Sequence, residues 1–130
     1  MQYAVLLYVD AALEVSPQTP EWQASMPHHM AFNQALQERK LDYTGGVLTG
    51  NAAATSLRVR NGERVVSDGP FAEAKEQLWG YYVVDAPDLD TMLELSTLLW
   101  EADHGTVEIR PLLDVPAPEG APGSGVGVPA

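Results

Sequence analysis

Asn61-Gly62 is the tightest local constraint in the chain. Both residues tolerate positive φ, as the two central positions of a type I′ turn require, and that turn joins antiparallel strands with the right twist. The flanking segments TSLRVR (55–60) and ERVVS (63–67) are rich in Val, Ser, Thr and Arg and suit such strands. The chain must therefore double back on itself at its midpoint, with Arg60 opposite Glu63 as an opposite-charge cross-strand pair worth a few tenths of a kcal/mol, roughly.

The segments on either side extend the pattern. QYAVLLYV (2–9) is a short apolar run ended by Asp10 and predicts a buried strand. Thr19-Pro20-Glu21 predicts a helix start, with Thr as N-cap and Pro in the first position, and the helix is expected to run to about residue 40. Trp22, Met26, His29, Met30, Asn33 and Leu36 then share one face. Pro27 either kinks this helix or marks a later start near Ser25–Met26. LDYTGGVLTG (41–50) reads as a strand whose glycines signal a bulge or a close approach. QLWGYYVVD (77–85) is another apolar strand, residues 88–101 a second helix, and TVEIRPLL (106–113) a last strand. Residues 72–75 have room for one helical turn.

The order β–α–β–β–β–β–α–β predicts an α+β, ferredoxin-like domain with a hairpin inserted in its middle. Two helices cover one face of an antiparallel sheet. The other face is left open, and two such sheets can close against each other in a dimer. At 130 residues the chain is one domain in length. That domain is expected at 1–113. Residues 114–130 hold four Pro and four Gly and are expected to form a flexible tail, with no apolar side chain larger than Val to offset their ordering entropy.

Charge excludes several roles. Eighteen acidic residues against seven Lys and Arg give a net charge of −11, which opposes binding to a nucleic-acid backbone or to an anionic membrane surface. No apolar run is long enough to cross a bilayer, and the N-terminus lacks a signal peptide's basic start; a cytoplasmic protein is expected. Without cysteine there is no disulfide, thiol nucleophile or Cys-type metal site. Glu101-x-x-His104 has a metal-like spacing but stands alone, so neither a metal nor a cofactor is expected.

The run DGPFAEAKEQL (68–78), followed by Gly80-Tyr81-Tyr82, resembles the signature of YCII-related proteins of the DGPF-domain subgroup, with Ala74 where that pattern usually has Thr or Ser. The opening MQYAVLLYVD, the spacing Met26-x-x-His29-x-x-Phe32-Asn33, the hairpin, DAPDLD before the second helix and the closing VEIRPL match the same pattern in order. The resemblance covers roughly residues 1–113. It implies a dimeric α/β-barrel of ferredoxin-like protomers and no settled reaction. It also suggests a His/Asp pair in a cleft, and for the DGPF subgroup an association with sigma factors.

Two side chains are the candidate catalytic pair. His29 sits mid-face on the first helix, where a buried imidazole must find partners, and it is either a cleft acid or base or a satisfied core histidine. Asp68 opens the Gly-Pro corner, and is either the carboxylate that orients His29 or a turn residue that accepts local amides. Asn33, Lys75 and Tyr82 are the candidate ligand-binding residues. Phe71 is expected to plug the core, and Arg58 and Arg60 to meet carboxylates across a dimer interface. The site so assembled fits a small molecule handled by metal-free proton transfer. The other reading is a non-catalytic accessory module that binds a partner protein, such as a sigma-factor-related one.

Overall fold

The computed structural model describes residues 1–116. Its strands and helices are β1 (Gln2–Asp10), α1 (Pro20–Glu38), β2 (Tyr43–Val47), β3 (Thr55–Arg60), β4 (Glu63–Asp68), β5 (Glu76–Asp85), α2 (Leu89–Ser96), α3 (Trp100–His104) and β6 (Thr106–Pro111), with a single 3-10 turn at Asn51–Ala53. The fold is α+β. Four strands form an antiparallel sheet in the order β2-β5-β1-β6, which is compatible with the ferredoxin-like expectation. β3 and β4 form a separate two-stranded sheet. The expected tail lies outside the described residues, apart from residues 114–116.

Alternation along β1 puts Tyr3, Val5, Leu7 and Val9 toward the helices. Phe32 and Leu36 of α1 and Met92, Leu95 and Leu99 of the second helical region close over them. The opposite face carries Ala4, Leu6, Tyr8, Leu78, Tyr81 and Val83, all half-buried.

α1 starts where the Thr19 cap predicts, with the Thr19 hydroxyl accepting the Trp22 amide at 3.3 Å, and it continues through Pro27. Its buried stripe is rotated from the expected one. Ser25, Phe32 and Leu36 are buried, whereas Met30 is 65% exposed. The spacing 25–29–32–36 is the one that faces the sheet, so His29 stays inward while Met30 turns to solvent.

The hairpin forms as predicted. Asn61 and Gly62 have φ of 54° and 79°, and Arg60 lies opposite Glu63. Two other expectations fail. The segment before β5 makes no helical turn, and the second helix does not run unbroken. It stops at Ser96, Leu99 adopts an extended conformation (φ −73°, ψ 137°), and a new helix begins at Trp100.

A second irregularity lies in the sheet. Leu7 pairs with Gly80 but Tyr8 pairs with Leu78, so Trp79 is an extra residue on β5. A bulge of this kind breaks the alternation and turns consecutive residues to the same side. Trp79 and Gly80 are both buried. Gln77 braces the adjoining loop: its amide nitrogen donates to the carbonyls of Asp10 and Leu13 (3.2 and 2.9 Å), and its Oε1 accepts the Asn51 amide at 3.0 Å.

Candidate functional site

The bulge and the helix break bring three polar side chains to one point. Trp79 from the bulge sends its indole N–H to Glu101 Oε2 at 2.8 Å. Glu101, in the first turn of α3, is fully buried. His29 reaches the same oxygen through Nε2 at 2.7 Å, and its Nδ1 lies 2.7 Å from the Tyr82 hydroxyl. His29 is thus held at both ring nitrogens.

The proton positions follow from which groups can only donate. An indole N–H has no acceptor role, so Oε2 accepts from Trp79. With Oε2 also accepting from His29 Nε2–H, a neutral imidazole leaves Nδ1 as the acceptor for the Tyr82 O–H. Burial pushes the Tyr82 phenol up to about 12; Asn33 opposes the shift, while the charge of Glu101 adds to it. Tyr82 therefore holds its proton at neutral pH and donates it. The other oxygen of Glu101, Oε1, is buried without a hydrogen-bond partner.

Beside this chain of groups lies a cavity of about 310 Å³ between α1 and the sheet. Its walls include Trp22, Met26, Tyr43 and Trp79, with His29, Asn33, Tyr82 and Glu101 supplying polar groups. Gly45, Gly46 and Gly80 line it as well. At Gly45 there is no room for more: a Cβ would stand 2.8 Å from both the Tyr81 carbonyl oxygen and the Tyr82 ring. The glycines in β2 mark a close approach, as expected, and the bulge falls on the neighbouring strand.

The sequence-predicted residues separate into two groups. His29, Asn33 and Tyr82 meet at the cavity. Asn33 also donates to the His29 carbonyl at 2.8 Å, one turn back. Asp68 and Lys75 are exposed and outside the lining. The expected meeting of His29 with Asp68 does not occur within this protomer, because Asp68 ends a hairpin that pairs only with itself. The corner is tied back to that hairpin by Gly69 N–H to Ala54 O (2.7 Å) and Ser56 Oγ to Gly69 O (2.8 Å). Glu101 stands in the position assigned to Asp68. Lys75 contributes its backbone carbonyl to Ala11 instead (2.8 Å). Phe71 is not a core plug: it is 73% exposed, with the Arg58 guanidinium 4.8 Å from its ring centre, a cation–π contact.

Sequence reasoning missed Glu101 because an unbroken helix would leave it at an outer end. The only signal was its spacing to His104, and the two side chains diverge. His104 stacks on Trp100 and bonds to the Trp100 carbonyl. Among the described residues no group of three or more His, Asp or Glu side chains gathers as a metal site would. Nor is any helix there long and apolar enough to cross a membrane.

The fold and the cavity define an α+β domain with one polar cluster behind an aromatic pocket. Residues 1–116 match the YCII-related domain, and the chain belongs to that family. It is also similar to an uncharacterised protein of Rhizobium meliloti (strain 1021), 36% identical over 119 residues that span 86% of this chain and 92% of that one. The family's function is uncharacterised.

Proposed function

We propose that this chain binds a small molecule in the cavity between α1 and the sheet, and moves a proton there without a metal. The observation that carries the reading is His29, bridged at 2.7 Å to Tyr82 on one side and to Glu101 on the other, on the cavity wall. Glu101 orients the imidazole and stabilises its cationic form; Nδ1 accepts a proton through the Tyr82 hydroxyl as that hydroxyl exchanges with a guest. Proton transfer of this kind serves an isomerase, or a metal-free lyase or hydrolase.

The test is a fragment screen by 1H–15N NMR, following the Trp79 indole N–H and the amides of Gly45 and Gly46. Hits should move these signals, and His29→Gln and Tyr82→Phe should weaken them. A diverse library that leaves these signals in place, or whose hits all map elsewhere, refutes the reading.

One observation favours the accessory-module reading beside it. The β3–β4 hairpin exposes Leu57, Val59, Val65 and Val66 by about half, and a lone two-stranded hairpin is marginal in water. In the DGPF-like setting that the sequence resembles, such an arm suits a partner protein. The half-buried apolar face of the main sheet supports a homodimer closed sheet against sheet. Sedimentation at micromolar concentration tests the dimer, and a monomer there argues against it.

A further inference from the structure

The cavity's hydrogen-bonding inventory is lopsided. The strong donors near His29 are spent: Trp79 N–H and His29 Nε2–H both go to Glu101 Oε2, and Tyr82 O–H goes to His29 Nδ1. The Ser25 hydroxyl is spent on the Trp22 carbonyl at 2.7 Å. Next to His29, two acceptors are left over. Glu101 Oε1 is fully buried and unpartnered, and Tyr82 retains an oxygen lone pair. The remaining side-chain donors of the lining, the Trp22 indole N–H, the Tyr43 and Tyr81 hydroxyls and one amide hydrogen of Asn33, are neutral.

Charge points the same way. The fifteen lining residues include no Lys and no Arg, and the sole acidic one is Glu101. Three of the chain's seven cations, Arg58, Arg60 and Arg64, are on the hairpin, which contributes nothing to the lining. A guest anion would meet a buried carboxylate with no Lys or Arg among these residues to offset it; the one lining group that can become cationic, His29, already faces Glu101 at 2.7 Å, and within a partly buried site the repulsion between like charges is strong. The walls, by contrast, suit a ring. Trp22 and Trp79 meet edge to face at 6.0 Å, and Tyr43, Tyr81 and Tyr82 line the same cavity.

We propose that the guest is a ring-sized molecule without negative charge that presents an O–H or N–H to Glu101 and Tyr82: an aromatic alcohol or amine, not a carboxylate or a phosphate ester. This rests on the reading that the cavity is a ligand site. The experiment uses wild-type protein, since truncating Glu101 endangers the fold. Benzyl alcohol, benzylamine, benzoate and toluene are titrated separately near neutral pH and low salt, following the Trp79 indole N–H by NMR. The alcohol and the amine should bind at least about tenfold more tightly than benzoate, and more tightly than toluene. Benzoate binding as well as the alcohol overturns the charge assignment, and toluene matching the alcohol overturns the donor assignment; both leave the ligand site standing. If none of the four moves the Trp79 signal, the ligand-site reading fails and this inference with it.

Discussion

Removing the Glu101 carboxylate tests the centre of the structure directly. In Glu101→Leu two donors, Trp79 N–H and His29 Nε2–H, lose their acceptor at a fully buried position. Each stranded donor costs roughly 1–3 kcal/mol, and the added hydrocarbon returns part of it, so the net loss should be about 2–4 kcal/mol. That is a large share of the ~5–15 kcal/mol that holds a domain of this size together. Glu101→Gln is the milder control. Its carbonyl can take the place of Oε2 and receive both donors, but the bonds lose their charge assistance and the new NH2 occupies the unpartnered Oε1 site. A loss of about 1–2 kcal/mol is expected.

Urea denaturation read by tryptophan fluorescence and circular dichroism gives these values, and the double variant His29→Leu/Glu101→Leu closes a cycle. With both partners apolar, the Trp79 N–H and the Tyr82 O–H are left stranded, but each of these losses is already counted once in a single variant, while the stranding of His29 Nε2–H and of Glu101 by each other's removal disappears. The double variant should therefore be more stable than the sum of the singles predicts, by about 1 kcal/mol or more. A Glu101→Leu protein within about 0.5 kcal/mol of wild type, the range of an ordinary surface change, refutes the reasoning. So does a cycle with no coupling.

Three further outcomes follow from the same geometry. Tyr82 holds its proton to about pH 12 in the fold against about 10 when unfolded; the resulting stability is fully present below pH 10 and is lost as pH rises through 12. Allowing for solvent screening at the hydroxyl, the loss is about 1–2 kcal/mol, and the difference between wild type and Tyr82→Phe in alkaline denaturation isolates it. Gln77→Leu strands the Asn51 amide and the loop carbonyls that Gln77 serves, so it should cost about 1–3 kcal/mol in urea denaturation and speed amide exchange at residues 10–15 and 51. Gly45→Ala drives a Cβ against the Tyr81 carbonyl and the Tyr82 ring; since backbone yields least, the ring must turn. A loss of about 1–3 kcal/mol is expected, together with a changed His29 Nδ1 nitrogen shift.

Local chemistry made much of this legible. Thr19-Pro20 located the start of α1, Asn61-Gly62 located the hairpin and its register, and the apolar run 2–9 located β1 as a buried strand, though not which of its faces meets the helices. His29, Asn33 and Tyr82 could be singled out as polar groups turned inward. What escaped notice depends on two departures from regularity. A period-2 reading of QLWGYYVVD assigns Trp79 and Gly80 to opposite faces, and only the unequal pairing with Leu7 and Tyr8 shows that they share one. A period-3.6 reading of residues 88–101 has no proline or glycine to mark the break before Trp100, so Glu101 read only as half of an isolated Glu-x-x-His spacing at a helix end. Asp68 was attractive because Asp-Gly-Pro is conspicuous, but that corner follows from Gly69 at φ 90° and a backbone bond to Ala54. A residue that shapes a turn and one that orients a base look alike in one dimension.

Stability does not account for the pair at the centre of this fold. A buried carboxylate and imidazole must give up hydration, and replacing such a pair with hydrocarbon of the same shape is commonly neutral or stabilising. The structure also leaves Glu101 Oε1 unpartnered, at a cost that a methyl group would avoid. Around it the chain makes further concessions: an extra residue in β5, a broken helix and glycines lining the cavity. Each of these weakens a regular element, and each bears on the same 310 Å³ of space. If Trp79 N–H and Tyr82 O–H existed only to satisfy His29 and Glu101, filling the cavity while keeping the polar quartet should raise stability and change nothing else. Met26→Phe, at a partly exposed position on the rim, makes that comparison. It should preserve or raise the midpoint of urea denaturation while abolishing the Trp79 shift produced by benzyl alcohol. A variant that keeps the full shift places the guest elsewhere and detaches the polar cluster from the cavity.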